Sequence, residues 1–418
     1  MISYQNSKKI LKKSIINIKD ENILSISSLN RVTSSNIYSK FNYPSGDNAA
    51  FDGYAINSND TNTIKKNNPK KFKIIGMIAA GNKPPKNKIK KFEAVEIMTG
   101  GIIPKGFDTI IPIEQIKYYP SSNKRKFILI DKKITKYNHV RFKGSDYKKN
   151  ELVIKKNTII QPNHILALKT LGIKTIKIKK KINILFFSTG NEISNKDNIE
   201  DWKVRNSNSH YINALKDNLL FNFKYGGILR DNHEKIFQSK IRKMLNSKTD
   251  IIVTSGAVSA GKFDYVPSVI KKFKLSNYFK SVEIRPGKPI LFAKFKDKQK
   301  AIFGLPGNPM SSAACFRFFV YPYISNLLGL KDEQSLKAVL KNEFIKKKSL
   351  TRFAKSKINT TKNGKIEVEI LKGQESFRIK SFVKSNIWAL LPSGKSKFRK
   401  GEIIDCYIPN FPNQTLIL

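Results

Sequence analysis

Three short turns rich in glycine and proline lie close together in this sequence, and they constrain its fold more than any other feature. Each turn follows a run of residues typical of a strand. The turns are Thr254–Asp264, Arg285–Pro289 and Gly304–Pro309, and the preceding runs are Ile251–Thr254, Val282–Ile284 and Ala301–Phe303. Turns of this kind leave backbone N–H groups free to bind anionic ligands. Three of them in one short segment predict a ligand site rather than ordinary connections.

The segment around these turns, residues 181–330, alternates strands and helices. Further strands are predicted at Ile182–Phe187 and Phe223–Gly227, and helices at Ser209–Leu220, Glu234–Leu245, Tyr265–Phe273 and Met310–Leu328. Asn208 is predicted to cap the first of these helices. Such alternation predicts a parallel sheet with helices on both faces. Ligands bind these sheets at the carboxyl ends of the strands, which is where the turns fall.

The flanking segments follow a different pattern. Ser3–Ile16 predicts a helix, and short strand-like runs between Lys71 and Ile130 predict a small β-rich domain. Short strands from Leu336 to Leu418 predict a small barrel. A chain of 418 residues is too long for one compact core, so several domains are expected.

The net charge of +48 raises the question of nucleic-acid binding. The chain has 68 lysines and only 11 arginines, and the lysines are spread through every segment. Arginine is the residue favoured for base and phosphate recognition. The abundance of Lys, Asn and Ile is typical of a genome rich in A·T codons. Weak, salt-sensitive binding of polyanions is the alternative interpretation of the charge.

The placement of cysteine, histidine and apolar residues argues against a metal or redox site, a membrane span and a signal peptide. The two cysteines, Cys315 and Cys406, and the four scattered histidines lack the spacing of a metal or redox site. No window approaches the ~20 apolar residues of a membrane span, and the N-terminus lacks a signal peptide's apolar core. A cytoplasmic protein with reduced thiols and no membrane partner is therefore expected.

Five segments, in order along the chain, resemble the motifs of the molybdopterin molybdenumtransferase family, which includes the C-terminal domain of gephyrin. The matching segments are Asp47–Ala55 (family D-N-S-A-M-D-G-Y-A), Ile97–Gly101 (I-M-T-G-A), Thr254–Asp264 (T-S-G-G-V-S-x-G-x-x-D), Arg285–Pro289 (K-P-G-K-P) and Gly304–Pro309 (G-L-P-G-N-P). The sequence departs from these motifs at Ala49, Phe51, Gly101, Ala257 and Arg285.

The resemblance implies an α/β multidomain fold. Its centre would be a molybdopterin-binding-type three-layer α/β domain with a parallel-rich sheet, accompanied by a β-rich insert domain, an elongated connecting domain and a C-terminal β-barrel. The implied limits are 1–19 for an N-terminal helix that packs on the α/β domain, 20–47 and 140–178 for the connecting domain, 48–139 for the insert, 179–330 for the α/β domain and 331–418 for the barrel.

The resemblance also implies an activity. Members of the family insert molybdate into adenylylated molybdopterin with release of AMP, and they need a divalent cation, usually Mg²⁺. They are homodimers whose sites are shared between subunits. Molybdopterin adenylyltransferase and acceptor molybdoenzymes are the expected partners, with no specific nucleic acid. The alternatives are a non-catalytic scaffold like gephyrin and a polyanion-binding protein. An enzyme that adenylylates molybdopterin would lack the insert and the barrel.

The motif positions imply the site residues. Asp52, Thr99, Glu192, Asp231 and Asp264 are the catalytic candidates, and Glu192, Asp231 and Asp264 are also the candidates for Mg²⁺. The other interpretations are helix capping for Asp231 and Asp264, a solvated loop carboxylate for Glu192 and a turn hydroxyl for Thr99. The candidates for substrate or molybdate binding are Ser255, Gly256, Ser259, Arg285, Lys288, Pro289, Pro306, Asn308, Pro309, Lys355 and Ser376. Pro306 and Pro309 are expected to shape their turn, because proline has no N–H to donate.

Overall fold

The computed structural model describes residues 1–85, 88–216, 220–258 and 265–409. The first helix, Tyr4–Lys13, begins after Ser3, whose hydroxyl caps a free backbone N–H, and its last turn carries lysines that favour the helix C-terminus. Tyr4 packs edge-on against Phe319 and Phe353. The N-terminal segment therefore lies against residues from the second half of the chain.

A six-stranded sheet forms the centre of the α/β domain. In spatial order its strands are Phe221–Leu229, Ile182–Thr189, Ile251–Ser255, Lys300–Leu305, Leu291–Phe295 and Leu275–Lys280. The first four run parallel, and Leu291–Phe295 runs antiparallel to both of its neighbours. Branched and aromatic side chains dominate these strands, as a sheet covered on both faces requires. The predicted parallel-rich sheet is confirmed.

Helices cover both faces of this sheet. One face carries Tyr4–Lys13, Ser207–Leu215, Pro309–Cys315 and Tyr321–Leu327, and the other carries Glu234–Leu245 and Val266–Lys271. Side chains alternate between the two cores, because Ile184 and Phe186 belong to the first and Leu185 and Phe187 to the second. The predicted three-layer architecture is confirmed.

The predicted helix Met310–Leu328 is interrupted. The α-helix Pro309–Cys315 continues into one π-helical turn, Phe316–Val320, before the α-helix Tyr321–Leu327. Pro322 has no N–H to donate, so an unbroken α-helical ladder is not available at this point. The apolar pattern predicted the length of the segment and not the wider turn in its middle.

The insert is built on a second six-stranded sheet. In spatial order its strands are Thr109–Pro112, Gly53–Ile56, Glu93–Ile97, Lys70–Ile78, Lys124–Ile130 and Lys117–Ser121. Tyr54 and Ile56 enter one small core, while Ala55 between them enters another. The β-rich domain predicted for this part of the sequence is confirmed.

Three antiparallel ladders join chain segments on either side of the insert. They pair Asp20–Leu24 with Thr175–Lys179, Ile37–Tyr38 with Leu152–Ile154, and Asn48–Ala49 with Val140–Arg141. The helix Pro162–Thr170 lies among them, and its Leu168 packs with Ile160 and Ile178 in a shared core. The chain therefore enters and leaves the insert through one continuous connecting region, for which the predicted residue limits stay a prediction.

The C-terminal segment forms a closed five-stranded barrel. Its strands in order are Thr351–Thr360, Ile366–Ile370, Leu336–Leu340, Ile403–Tyr407 and Ile387–Leu391, and the last pairs with the first. Phe353 of the barrel stacks on Phe318 of the π-helical turn, with ring centroids 4.0 Å apart. The barrel and the α/β domain therefore share one apolar core.

The remaining elements are short. They are the 3-10 helices Ser25–Ser27, Ser58–Thr61 and Ile113–Gln115, the α-helix Lys380–Val383, and the strands Ile193–Ser194, Val204–Arg205, Ile284–Arg285, Phe344–Ile345 and Lys397–Phe398. Within the described residues, no helix combines the length and the apolar character that a membrane span requires.

Candidate active site

The site begins where the strand Ile251–Ser255 ends between its parallel neighbours. Gly256 has a φ of +101°, and a Cβ at this position would lie 2.5 Å from Thr189 Oγ1. Thr189 Oγ1 donates to Ser255 O at 2.9 Å, and Gly256 N donates to Leu305 O at 2.8 Å. Only glycine fits this position. The predicted ligand residues Ser255 and Gly256 therefore lie in a tight floor formed by three strand ends.

Asn208 ties this floor to the third turn. Its Nδ2 donates to Ser255 Oγ at 2.7 Å and to Gly307 O at 2.8 Å. The prediction that Asn208 caps a helix is wrong, because the helix begins at Ser207 and its N-cap is Asn206. Asn208 lies one position inside the helix, so its side chain points to the strand ends instead of the backbone of its own helix.

The third turn sets Asn308 at the start of a helix. Pro309 is the first helical residue, a position where the missing N–H of proline costs nothing, and Ser312 N donates to Asn308 O at 2.9 Å. Pro306 O accepts a long hydrogen bond, 3.3 Å, from Ser255 Oγ. Pro306 thus contributes a carbonyl oxygen and Pro309 begins the helix, and the shaping role expected for both prolines stays a prediction.

Arg230 fixes a neighbouring loop of the site. Its Nη1 donates to the carbonyl oxygens of Gly190, Asn191 and Ile193 at 3.1, 2.9 and 2.9 Å. A charged donor shared among three carbonyl groups holds this loop in one arrangement. The loop is the one that carries the predicted catalytic residue Glu192.

Glu192 and Asp231 lie on two loops that contact each other. Asp231 N donates to Asn191 Oδ1 at 3.2 Å. Burial, and then the charge of Asp231, raises the pKa of Tyr265, so this phenol stays protonated. Its buried hydroxyl has no hydrogen-bond partner in the part of the chain that the structure describes. Among the described residues, no three His, Cys, Asp or Glu side chains form a group able to hold a metal ion. The assignment of Mg²⁺ to Glu192 and Asp231 stays a prediction.

Two predicted site residues, Ser259 and Asp264, lie outside the described residues. Both belong to the first turn. Their roles, in ligand binding for Ser259 and in catalysis and cation binding for Asp264, stay predictions.

The second turn lies at the junction between the α/β domain and the barrel. The strand predicted at Val282–Ile284 is wrong: the strand is Ile284–Arg285, and it runs parallel to the barrel strand with Arg285 opposite Arg352. Val282 instead forms a bridge with Ile2 at the N-terminus. A three-residue alternating run, with Glu283 between two apolar residues, does not specify which sheet it joins, and here Ile284 and Arg285 pair with the barrel.

The two cationic residues of this turn, Arg285 and Lys288, are both exposed, and Pro289 is partly buried. Gly287 between them has a φ of +103°, and a Cβ there would lie 2.3 Å from Cys315 Sγ. Glycine lets the turn pack on a buried helix while both cationic side chains remain accessible. This arrangement suits the anion-binding role predicted for them.

Lys355 is buried in the barrel, where it organises a loop. Its Nζ donates to the carbonyl oxygens of Gly373, Glu375 and Arg378 at 2.7, 3.2 and 2.9 Å. Burial, reinforced by the charge of Arg352, lowers the pKa of Lys355 to about 8. The ammonium group has three protons and three carbonyl acceptors. Lys355 therefore holds this loop in place and has no proton left to donate to a ligand.

The loop held by Lys355 brings Ser376 to the third turn. Ser376 Oγ accepts from Asn308 Nδ2 at 3.1 Å, and Met310 N donates to Ser376 O at 3.4 Å. The predicted ligand residues Asn308 and Ser376 are thus brought together, although they come from different domains.

The insert carries a separate pair of predicted site residues. Thr99 donates to Asp52 Oδ1 from its backbone N at 2.6 Å and from its Oγ1 at 2.7 Å. These hydrogen bonds hold the pKa of Asp52 below its ordinary value, so this exposed carboxyl is ionised at neutral pH. Across the part of the chain that the structure describes, no hydrogen bond or ion pair joins these two side chains to the α/β domain.

Two residues that shape the site were missed by sequence reasoning, Thr189 and Arg230. Arg230 carried a usable signal, because arginine is rare in this lysine-rich chain and is favoured where a fork of N–H groups meets several oxygens. Thr189 carried none, since the residues around it come from other strands.

Three family models together match most of the chain. The model of the MoeA N-terminal region (domain I and II) matches residues 2–172, that of a probable molybdopterin binding domain matches residues 186–326, and that of the MoeA C-terminal region (domain IV) matches residues 337–408.

Proteins with known names and structures agree with these matches. The molybdopterin molybdenumtransferase of Staphylococcus aureus strain Mu50 is 32% identical over 382 residues, which cover 90% of this chain and 88% of the relative. The molybdopterin molybdenumtransferase of Staphylococcus epidermidis strain RP62A is 30% identical, with 97% of this chain and 94% of the relative covered. The crystal structure of the molybdopterin biosynthesis moeA protein from Pyrococcus horikoshii OT3 superposes with a TM-score of 0.82 at 26% identity, covering 97% of this chain and 99% of that one.

Proposed function

This chain belongs to the molybdopterin molybdenumtransferase family, and from that premise we propose that it inserts molybdate into adenylylated molybdopterin. The phosphoanhydride bond of the substrate is broken, AMP leaves, and molybdenum is transferred to the dithiolene sulfurs of molybdopterin to give molybdenum cofactor. The chain is thus a transferase of molybdenum cofactor biosynthesis.

The observation that carries this proposal is the contact between segments predicted to bind the substrate. Asn208 links Ser255 to Gly307, and Asn308 links the same turn to Ser376. A strand end, the third turn and a barrel loop therefore form one polar surface. Amides and hydroxyls in such a surface suit the oxygens of a phosphate or of a tetrahedral oxyanion.

Arg285 and Lys288 supply the positive charge at the edge of this surface. Both side chains are exposed, so both remain available to an anion. The planar guanidinium of Arg285 can donate two parallel hydrogen bonds to one oxyanion, whereas the ammonium of Lys288 acts as a point charge. Together they neutralise an anion as it enters the site.

Glu192 and Asp231 fit a magnesium ion. Magnesium prefers oxygen ligands and usually takes one or two carboxylates, completing its shell with water and substrate phosphates. Two carboxylates on contacting loops, without a third ligand among the described residues, match that pattern, and Asp264 belongs to the same predicted set. When bound, the cation supplies positive charge that stabilises the phosphate oxygens as AMP leaves.

We propose that the active form is a homodimer with sites shared between subunits. Asp52 is held ionised by Thr99 on the surface of the insert, and among the described residues the hydrogen bonds of its carboxylate stay within the insert. An exposed charge prepared in this way can serve a site on a second copy of the chain. Asp52 and Thr99 would then complete the site formed by the partner's α/β domain.

The compartment and the protein partners of this chain follow from the proposed reaction and from the state of its cysteines. Molybdopterin adenylyltransferase, which makes the substrate, and the molybdoenzymes that accept the product are the proposed partners. Cys315 and Cys406 are both buried and free, as expected in a reducing compartment, so we place the reaction in the cytoplasm.

Purified protein with adenylylated molybdopterin, magnesium and molybdate tests the proposal. We expect AMP release that depends on both ions and a product that activates a molybdoenzyme lacking its cofactor. Asp231→Asn should abolish most of this activity. The matched control, Asp297→Asn, changes an exposed carboxylate beside Lys274 and should keep it. AMP release no faster than in the absence of protein would contradict the proposal.

Neither a non-catalytic scaffold nor a polyanion-binding protein is favoured as the function of this chain. A non-catalytic scaffold has no need for an ionised Asp52 or for carboxylates on contacting loops at strand ends. Binding of polyanions rests on the net charge of +48 alone.

A further inference from the structure

A cavity of about 550 Å³ lies between the second turn and the barrel, and its lining is strongly cationic. The cationic side chains that line it are Arg285, Lys346, Lys347, Arg352 and Lys372. The lining also includes two acids, Glu343 and Glu375, and each pairs with a cation outside the lining, with Lys397 and Arg378 respectively, at 3.0 Å. Both negative charges are therefore already matched, and the cavity keeps an excess of positive charge.

Arg352 is the most deeply buried of these cations, with 6% of its surface exposed. Its Nη2 donates to Gln374 O at 2.8 Å, while its Nε is buried and has no hydrogen-bond partner in the described part of the chain. Within the described residues, the guanidinium forms no ion pair with a carboxylate. Glu375 is the acidic group whose charge acts on this guanidinium, but its carboxylate is paired with Arg378. A buried cation without a directly bonded anion, and a buried donor without an acceptor, are both unfavourable. Arg352 therefore has a donor and a charge that a bound anion could satisfy.

Arg285 adds a second guanidinium beside the first. Arg285 and Arg352 are opposite each other in adjacent parallel strands, and both line the cavity. Burial, and then the charge of Arg285, lowers the pKa of Arg352 to about 10, although the charge of Glu375 acts in the opposite direction. An anion between the two side chains would relieve their mutual repulsion and supply the missing acceptor.

We propose that Arg352 and Arg285 together bind a tetrahedral oxyanion in this cavity, and that Arg352 provides the cationic contact that family resemblance assigns to Lys355. Lys355 is not part of the cavity lining, and its protons are directed at three carbonyl groups. It is a positioning residue, which holds the loop whose Gln374 carbonyl accepts from Arg352. The identity of the anion, molybdate or a phosphate group of the substrate, rests on the proposed function.

Calorimetric titration of the full-length protein with sodium molybdate, and separately with inorganic phosphate, tests this assignment in buffer of physiological salt. We expect Arg352→Gln and Arg285→Gln each to weaken oxyanion binding by about tenfold or more, because each replaces a guanidinium, with its positive charge and its paired N–H donors, by a neutral amide. Lys348→Gln is the matched control. It removes one positive charge from an exposed residue outside the lining and should change the affinity by less than about twofold.

Arg352→Lys is a second test, which keeps the inference falsifiable if the Arg352→Gln variant does not fold. Lysine keeps the charge and can still donate to Gln374 O, but one ammonium cannot also supply the second arm of a fork, so binding should weaken severalfold. Tighter binding of phosphate than of molybdate would assign the cavity to the substrate's phosphate. Wild-type affinity in both Arg352 variants, or no oxyanion binding by the wild-type protein, would overturn the inference.

AMP release measured on the same preparations separates this inference from the proposed function. Active wild-type enzyme whose Arg352 variants bind oxyanion normally would contradict the inference alone. Absence of AMP release from wild-type protein that binds oxyanion through Arg352 would contradict the proposed function alone.

Discussion

Thr99 donates two hydrogen bonds to one oxygen of Asp52, so the charge of this carboxyl depends on a single neighbour. Thr99→Val removes the hydroxyl donor and leaves the backbone donor. We expect the pKa of Asp52 to rise toward its ordinary value and to remain below it. Because this pKa is lowered in the folded chain, the stabilisation is present above the ordinary Asp pKa and is lost as the pH falls below it.

Carboxyl carbon shifts recorded through an acid titration of Asp-labelled protein would measure this effect. Thr63→Val, which changes an exposed threonine of the same insert, is the control and should leave the pKa of Asp52 unchanged. An equal pKa in wild-type and Thr99→Val protein would show that the hydroxyl does not stabilise the charge.

Gly256 and Gly227 both have positive φ, +101° and +97°, but only at Gly256 would a Cβ meet other atoms. Gly227→Ala should therefore show the backbone cost alone, about 1–2 kcal/mol for an L-residue at positive φ. Gly256→Ala adds a clash with Thr189 and should destabilise the α/β domain by about 2–4 kcal/mol. Urea unfolding of the two variants gives the comparison. Equal losses would show that the close approach to Thr189 has no energetic weight.

At the scale of residues, a site residue can be predicted from the sequence when its role depends only on the turn in which it lies. Ser255, Gly256 and Asn308 were implied by the family motifs, and each lies in or beside a glycine-rich or proline-rich turn that a local sequence pattern can mark. Their partners could not be predicted, because contacts such as Asn308 to Ser376 join segments whose approach is set by tertiary packing. Arg230 is the same case, since its three acceptors are the backbone carbonyls of another loop.

At the scale of elements, local pattern predicts best where one face is buried. The helix Glu234–Leu245 has the predicted bounds, because its apolar stripe is regular, an acid begins it and Arg242 and Lys243 end it. The strand predicted as Ile182–Phe187 extends to Thr189. The prediction ended two residues early because Ser188 and Thr189 are polar. Both hydroxyls are buried and hydrogen-bonded at the site, so the hydrophobic pattern ends before the strand does.

The helix Ser207–Leu215 offers a test of the role of Asn208. Aspartate caps a helix as well as asparagine does, but it cannot donate to Ser255 Oγ and Gly307 O. If Asn208 ties the site together, Asn208→Asp should slow AMP release by about tenfold or more, since lost hydrogen bonds to buried groups cost about 1–3 kcal/mol.

Asn213→Asp introduces the same charge on the same helix and is the control for this experiment. It should keep the wild-type rate. Full activity in Asn208→Asp would show that the two hydrogen bonds donated by Asn208 are not needed for the reaction.

At the scale of the whole molecule, the barrel and the insert are attached in different ways. The barrel shares an apolar core with the α/β domain, through the stacked rings of Phe318 and Phe353. The insert is reached through short two-stranded ladders, and it has small cores of its own. The part of the site that includes Ser376 is therefore fixed within one chain, whereas Asp52 belongs to a separately packed unit.

Mixing two inactive variants tests whether Asp52 serves the site of a second chain. Asp52→Ala inactivates the insert's contribution, and Asp231→Ala inactivates the α/β contribution. If sites are shared, a mixed dimer combines the intact insert of one chain with the intact α/β domain of the other, and so regains one of its two sites. With random exchange half of the dimers are mixed, so about a quarter of wild-type AMP release should return. A chain carrying both substitutions, mixed with Asp52→Ala, cannot form an intact site and is the control. If each site lies within one chain, no mixture recovers activity, and the shared arrangement is wrong.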